Sequence, residues 1–404
     1  MKMNILRMIN PVQPYAWGSK TFISELLGNR EHNGTPQAEL WIGAHPKSSS
    51  LIQNGDMQVN LNYIIAEDPC DFLGSNITRI YSDQLPFLLK VLAADAPLSI
   101  QAHPNQKQAR AGFARETKLG IPLDATDRNY KDANHKPELI VALTPFTALC
   151  GFRALPELVS YFKKYLRCYS SETLVAFLHE PNQFSLKALF TSLLIMSASE
   201  RQIMFSIYLN NISQAQPDTE QEKLLQKWSI ELSRLYPDDI GVLSPLLLNI
   251  IELEPFEGLF LEAGILHSYL QGAGMEIMAN SDNVLRGGLT PKYIDTEGLI
   301  YVLDFMPKIT KSIVPKAISE HEKIYQTSAE EFRLTIFEHE SDTQTVVPFA
   351  NSPEILFCYE GSFVIENCSQ FLSLEKGQSL FVPFEVDGYC VQGKGIIFRA
   401  RCNT

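Results

Sequence analysis

The sequence has no Cys-x-x-Cys pair, no apolar run long enough to cross a bilayer, no excess of positive charge and no repeated or low-complexity segment. Each absence removes a class of function. The seven cysteines (Cys70, Cys150, Cys168, Cys358, Cys368, Cys390 and Cys402) are scattered and odd in number, which offers no thiolate metal site and suits a reducing compartment. Without a spanning run the chain is expected to stay off the membrane. Residues 1–17 hold no sustained apolar core and no small-residue cleavage site, so no secretory signal is read there and the expected location is cytoplasmic. Lys and Arg number 34 against 46 Asp and Glu, a net charge of −12, which argues against a nucleic-acid surface. A local cluster of cations can still hold one anionic group.

What is present is ordinary in bulk: 404 residues, 45% apolar and 20% charged, enough for two or three domains whose cores need no disulfides. Three textures follow one another. Residues 1–152 carry short β-branched stretches punctuated by Gly, Pro and Asn, a strand-and-loop pattern with some helix. From Leu155 the period becomes helical: Leu155, Leu158, Val159, Phe162, Tyr165 and Leu166 recur on one face, and Leu224, Leu225, Trp228, Leu232 and Leu235 do so again. Thr219 with Glu222, and Ser199 with Gln202, have the form of capping boxes. Strand character returns from Ile251. Phe260 to Leu270 reads as a strand, Gly272 and Gly274 as a tight turn, and Met275 to Ala279 as the returning strand. A last β-rich unit has Ile355 to Tyr359, a turn at Gly361, Phe363 to Ile365, Ser379 to Pro383 and Ile396 to Arg399. The best linker candidates are Gln214 to Asp218 and Pro307 to Pro315. The division expected is residues 1–152 with 241–310, a helical insertion over 153–240, and a β unit over 311–404.

Three clusters carry polar chemistry. In Pro97 to Asn105, strand alternation points Ser99, Gln101 and His103 one way and Leu98, Ile100 and Ala102 into a core. The plain alternative is a half-exposed strand of an ordinary antiparallel sheet. In Asn134 to Leu143, Pro137 biases Lys136 toward extended geometry, so Lys136 and Glu138 project to one side. They could be only a surface ion pair, but the apolar run Leu139 to Leu143 places Glu138 at the mouth of a buried face. The third cluster holds His267 in an apolar run, then Glu276, Asn280, Asp282, Arg286 and Lys292. A satisfied core histidine, an Asx turn and a solvated arginine are its bland readings. Together the clusters supply Gln101, His103, Glu138 and His267, acceptable zinc donors without thiolate. Two neutral imidazoles, one amide and one carboxylate leave Zn²⁺ with a net charge of about +1, which suits a Lewis acid better than a structural ion.

Tyr15-Ala16-Trp17-Gly18, the stretch Ala38 to Pro46, Ser99 to Asn105, Asn129 to Asp132, His135 to Glu138 and Asn280 to Tyr293 occur in an order that resembles the type I mannose-6-phosphate isomerase family. The resemblance implies a mainly β fold: a cupin-like jelly-roll catalytic domain interrupted by a helical domain, then a second jelly-roll domain. It implies one zinc per chain on the same four residues, Gln101, His103, Glu138 and His267. Arg286 is implied as a catalytic residue, with His135, Lys136, Glu276 and Asp282 lining the pocket. Ser99 and Lys292 would help hold the substrate phosphate, with Lys90 a lesser candidate. The expected partner is a small hexose phosphate, not nucleic acid or membrane, and the expected state is a monomer or weak homo-oligomer. The C-terminal unit is expected to carry no metal, since His321 and His339 both precede its core strands. His45 is read as structural. Rival readings are a cupin of another chemistry, such as an oxygenase needing redox iron or an epimerase, and a non-catalytic sugar-phosphate binder.

Overall fold

The computed structural model describes residues 4–29, 34–54, 57–308 and 311–403. Ile309 and Thr310, within the expected linker at Pro307 to Pro315, lie outside the described residues, as do the first three residues of the chain. The architecture is mainly β with an α-helical insertion, as expected.

The strand Phe87–Ala94 is apolar at every position but Lys90 and buried throughout, which marks a strand covered on both faces. It lies inside the first sheet, ordered Leu248–Leu253, Phe146–Phe152, His267–Ala279, Phe87–Ala94, Glu39–Ile42, Val12–Gln13. Ile100–Ala102 and Glu138–Ala142 also pair with the long strand His267–Ala279. That strand changes partners midway. His267 to Gln271 pair with Phe146–Phe152, and Gly272 to Ala279 pair with Phe87–Ala94. The tight turn expected at Gly272 and Gly274 is therefore absent, and the strand runs through. Gly272 has φ 115°, and a Cβ there would stand 2.6 Å from the Pro145 carbonyl oxygen. The register shifts between Tyr269 and Gln271. A bulge that bends a strand demands the same residue type as a turn.

The second sheet runs Lys316–Ala317, Glu322–Tyr325, Arg333–Pro348, Gly388–Arg401, Glu354–Asn367, Ser379–Val382, Leu6–Ile9, Leu51–Asn54, Met57–Asn60. Here too an expected turn proves to be a bend: Glu354–Asn367 is one strand, irregular between Cys358 and Glu360, with Gly361 at φ 86°. The N-terminal chain also contributes to this sheet. Leu6 pairs with Phe381 and Met8 with Ile52, so three strands from residues 6–60 complete the sheet begun after residue 311.

Five helices, Leu155–Tyr165, Glu172–His179, Gln183–Leu194, Ala198–Gln214 and Glu220–Leu235, form the insertion. Thr219 caps the last by accepting from Glu222 N–H, but the Glu222 carboxylate accepts from Asp218 N–H instead of Thr219 N–H, so only half of the expected box forms. The expected Ser199–Gln202 box is displaced: Ser197 and Glu200 make the reciprocal pair, so the helix starts earlier. Both spacings fit the pattern, but Glu200 also places a carboxylate at the helix N-terminus. The insertion's core, with Leu158, Phe162, Leu225, Trp228 and Leu232, is continuous with Ile100 and Ala102. This contact positions the site, because anchoring those two side chains turns the intervening Gln101 the other way. Among the described residues no helix is long and apolar enough to cross a membrane.

Candidate active site

Three strands of the first sheet bring the ligand candidates together. Gln101 lies opposite both His267 and Arg286 in the ladder, and Glu138 lies opposite Met278. His103, Glu138 and His267 are all buried, and their donor atoms fall within 4.8 Å of one another. Glu138 sits between the imidazoles, with Oε1 3.4 Å from His103 Nε2 and Oε2 3.5 Å from His267 Nε2. The Gln101 amide ends 3.4 Å from His267 Nε2, and a half-turn of the amide puts its oxygen there.

The tautomers are set from behind. His103 Nδ1 donates to the Asn283 carbonyl at 2.8 Å, and His267 Nδ1 to the Ile265 carbonyl at 2.9 Å. A carbonyl only accepts, so each Nε2 is left with its lone pair facing the cluster. Burial pushes the His103 imidazole down to about 4 against the pull of Glu138, so the ring is neutral at pH 7. Burial would raise Glu138, yet Lys136, 3.0 Å from Oε1, and His103 hold its carboxyl well below the usual range. His103 Nε2 and Glu138 Oε2 are buried with no hydrogen-bond partner. Unpaired buried acceptors are costly, and a cation bound among them removes the cost. The donor set fits zinc.

Around this centre stand paired ionisable groups. Glu276, 3% exposed, accepts from Tyr269 Oη at 3.0 Å and Lys90 Nζ at 3.2 Å. Burial raises the Glu276 carboxyl in spite of Lys90. Lys90 also lies 3.7 Å from Glu39 and 5.4 Å over the Trp41 ring; burial works against its charge, but the two carboxylates outweigh it. Asp282 takes Lys47 Nζ at 2.8 Å, with His45 Nε2 at 3.7 Å. Burial would raise Asp282, and His45 and Lys47 reverse that. His45 itself is pushed down by burial to about 4.

Arg286 has no anionic partner among the described residues, and burial depresses its pKa. Lys292 is exposed; desolvation, then the nearby Arg286 and Lys131, lower its pKa. Ser99 is half-buried just before Ile100–Ala102. His135 Nε2 lies 2.5 Å from Glu331 Oε1, in a cleft of about 790 Å³ that also touches Gln106, Arg110, Lys131 and Asn280. A separate concavity of about 510 Å³, lined by Asp95, Thr144, Lys227 and Glu252, holds none of the ligand candidates.

Sequence reasoning did not single out Tyr269, Glu39, Lys47, Lys131 or Glu331. Glu39, Lys47 and Glu331 meet their partners across the fold, and Tyr269 reaches Glu276 through a bend in the strand they share, so no local spacing announces them; the nearest signal is that most of the five lie in or beside motifs already noted.

Residues 5–155 match the family model described as phosphomannose isomerase type I, catalytic domain, and residues 168–248 match phosphomannose isomerase type I, helical insertion domain. The chain is similar to mannose-6-phosphate isomerase of Escherichia coli, 41% identical over 396 residues that cover 97% of this chain and 98% of the relative. A solved variant of phosphomannose isomerase from Salmonella typhimurium has a TM-score of 0.92 at 39% identity, covering 99% of this chain and 100% of that one. A solved zinc-bound mannose 6-phosphate isomerase has a TM-score of 0.91 at 39% identity, with 99% and 100% coverage. The chain belongs to the type I phosphomannose isomerase family.

Proposed function

We propose that this chain interconverts mannose 6-phosphate and fructose 6-phosphate, with one zinc ion held by Gln101, His103, Glu138 and His267. The observation that carries the reading is the pair of unpartnered buried atoms, His103 Nε2 and Glu138 Oε2, within one cluster whose donor atoms lie inside 4.8 Å of one another and whose imidazole tautomers are fixed. Zinc in a solved relative of the same fold supports the choice of ion.

The reaction moves a proton between C2 and C1 through a cis-enediol, so negative charge develops on the substrate oxygens. When bound, the ion supplies positive charge that polarises such an oxygen. Arg286, free of carboxylate partners among the described residues, directs its guanidinium donors to the same developing charge. The proton-carrying base comes from the set Lys136, Glu276, Asp282 and His135. Glu276 combines burial with a raised pKa, the condition that lets a carboxyl hold a proton. Ser99 and Lys292 hold the phosphate. Lys90, already placed between Glu39 and Glu276, acts on Glu276 instead.

The same reading places catalysis in the unit of residues 1–152 and 241–310, supported by the insertion over 153–240 and the unit over 311–404. The enzyme works in the cytoplasm as a monomer or weak homo-oligomer. A coupled assay of fructose 6-phosphate formed from mannose 6-phosphate tests the activity: steady turnover supports it, and none with zinc-loaded protein removes it.

A further inference from the structure

Asn283 is fully buried, and no step of the proposed reaction uses it. Its side chain is nonetheless saturated with bonds. The amide oxygen accepts the backbone N–H of Lys131 at 2.7 Å and of Asp132 at 3.2 Å. The amide nitrogen donates to the carbonyls of Asp132 at 2.9 Å and Asn134 at 2.8 Å, and to Asp132 Oδ1 at 3.2 Å. Asp132 answers from the other side, accepting from Ser281 Oγ at 2.8 Å and from the backbone N–H of Asp282 at 2.8 Å. The backbone carbonyl of Asn283 meanwhile takes the His103 Nδ1 proton at 2.8 Å.

One residue thus touches an imidazole of the ligand set with its backbone and grips residues 131–134 with its side chain. That segment leads within a few residues to Lys136 and Glu138. An apolar contact would hold the two segments together equally well, but it would let them slide. A fully bonded amide fixes one register, because a shift breaks several bonds at once. Donor sets need placement to within about 0.5 Å.

We propose that Asn283 is a positioning residue for the metal centre, holding His103 through its carbonyl and registering the segment that carries Lys136 and Glu138 through its side chain. The inference rests on the reading of His103 and Glu138 as zinc ligands.

The test uses the full chain as wild type, Asn283→Ala, Asn283→Asp and Ser281→Ala. Zinc affinity is read by competition with a chelating dye, and geometry by the visible absorption of the cobalt(II)-loaded protein. Loss of such supporting partners weakens metal binding by about 10–100-fold, and that rise in Kd is expected for both Asn283 variants, with a shifted cobalt band. Ser281→Ala, which removes a single hydroxyl from the network, should move both readouts the same way by a smaller factor, and it serves should Asn283→Ala not fold. A merely structural role would lower the Tm of the metal-free protein while Kd and the band stay at wild type, and that result overturns the inference. Wild-type protein that binds neither ion overturns both the inference and the reading beneath it.

Discussion

The second sheet buries Arg399 and Glu354, 3% and 0% exposed, as deeply as the first buries His103 and Glu138, 1% and 2% exposed. The two sheets treat those groups differently. Arg399 spends Nε on Glu354 at 3.0 Å, Nη1 on Glu322 at 3.0 Å and Nη2 on Glu354, while Tyr389 Oη donates to Glu354 at 2.5 Å. Every polar atom of the guanidinium is answered by the protein. In the first sheet, His103 Nε2 and Glu138 Oε2 are left without partners at the point where two elements converge. Among the described residues, the unpaired atoms of the second unit, Arg401 Nε and Glu331 Oε2, belong to no such cluster of metal-donor side chains. Buried charge that the chain satisfies by itself holds a sheet together; buried charge left open toward its neighbours marks a ligand site.

The largest effect that bears on this contrast is on the open site. His267→Ala should remove zinc and lower kcat/KM by a factor on the order of 10³, given several kcal/mol of charge stabilisation from a bound metal. Retention of one zinc per chain would take His267 out of the ligand set. Arg286→Ala is expected to lower kcat by roughly 10²-fold, as for loss of one donor to a developing charge, while metal content holds at the wild-type level. Equal loss of zinc and turnover would mean that Arg286 supports the metal instead.

The closed network should behave the other way round. Arg399→Ala strands Glu354 in the core, and breaking a buried pair costs roughly 3–5 kcal/mol of stability. The surviving folded protein should turn over at the wild-type rate per molecule. Replacing Arg399 and Glu354 together with apolar residues should recover much of the stability, and failure to do so would show that the network is more than a satisfied pair.

A smaller effect comes with acid. The imidazoles of His45 and His103 lie at about 4 in the fold, against about 6.5 in an unfolded chain. Their folded pKa is depressed, so the unfolded state takes up protons first as the pH falls. Stability of the metal-free protein that is whole above pH of about 6.5 is therefore lost progressively toward about 4. A Tm that stays level from pH 7 to pH 4.5 would contradict buried neutral rings.

Much of the site was legible from local pattern. Alternation put Gln101 and His103 on one face, and Pro137 put Lys136 beside Glu138, because strand geometry acts over neighbouring residues. What escaped were contacts set by long-range register. Tyr269 reaches Glu276 only because the strand they share bends between them, and in the sequence that bend has the pattern of a turn at Gly272 and Gly274. Glu39 and Trp41 meet Lys90 through a ladder that joins distant parts of the chain. Gly361 misled in the same way, since a positive-φ glycine serves a bulge as readily as a turn. The N-terminal strands gave no local sign that they would close the sheet of the C-terminal unit.

The central claim, that the open donors of the first sheet hold a catalytic zinc, is tested most directly by chelation. Protein freed of metal and assayed for conversion of mannose 6-phosphate should be inactive, and one equivalent of zinc per chain should restore full turnover. Undiminished turnover in protein verified to be metal-free would contradict the account.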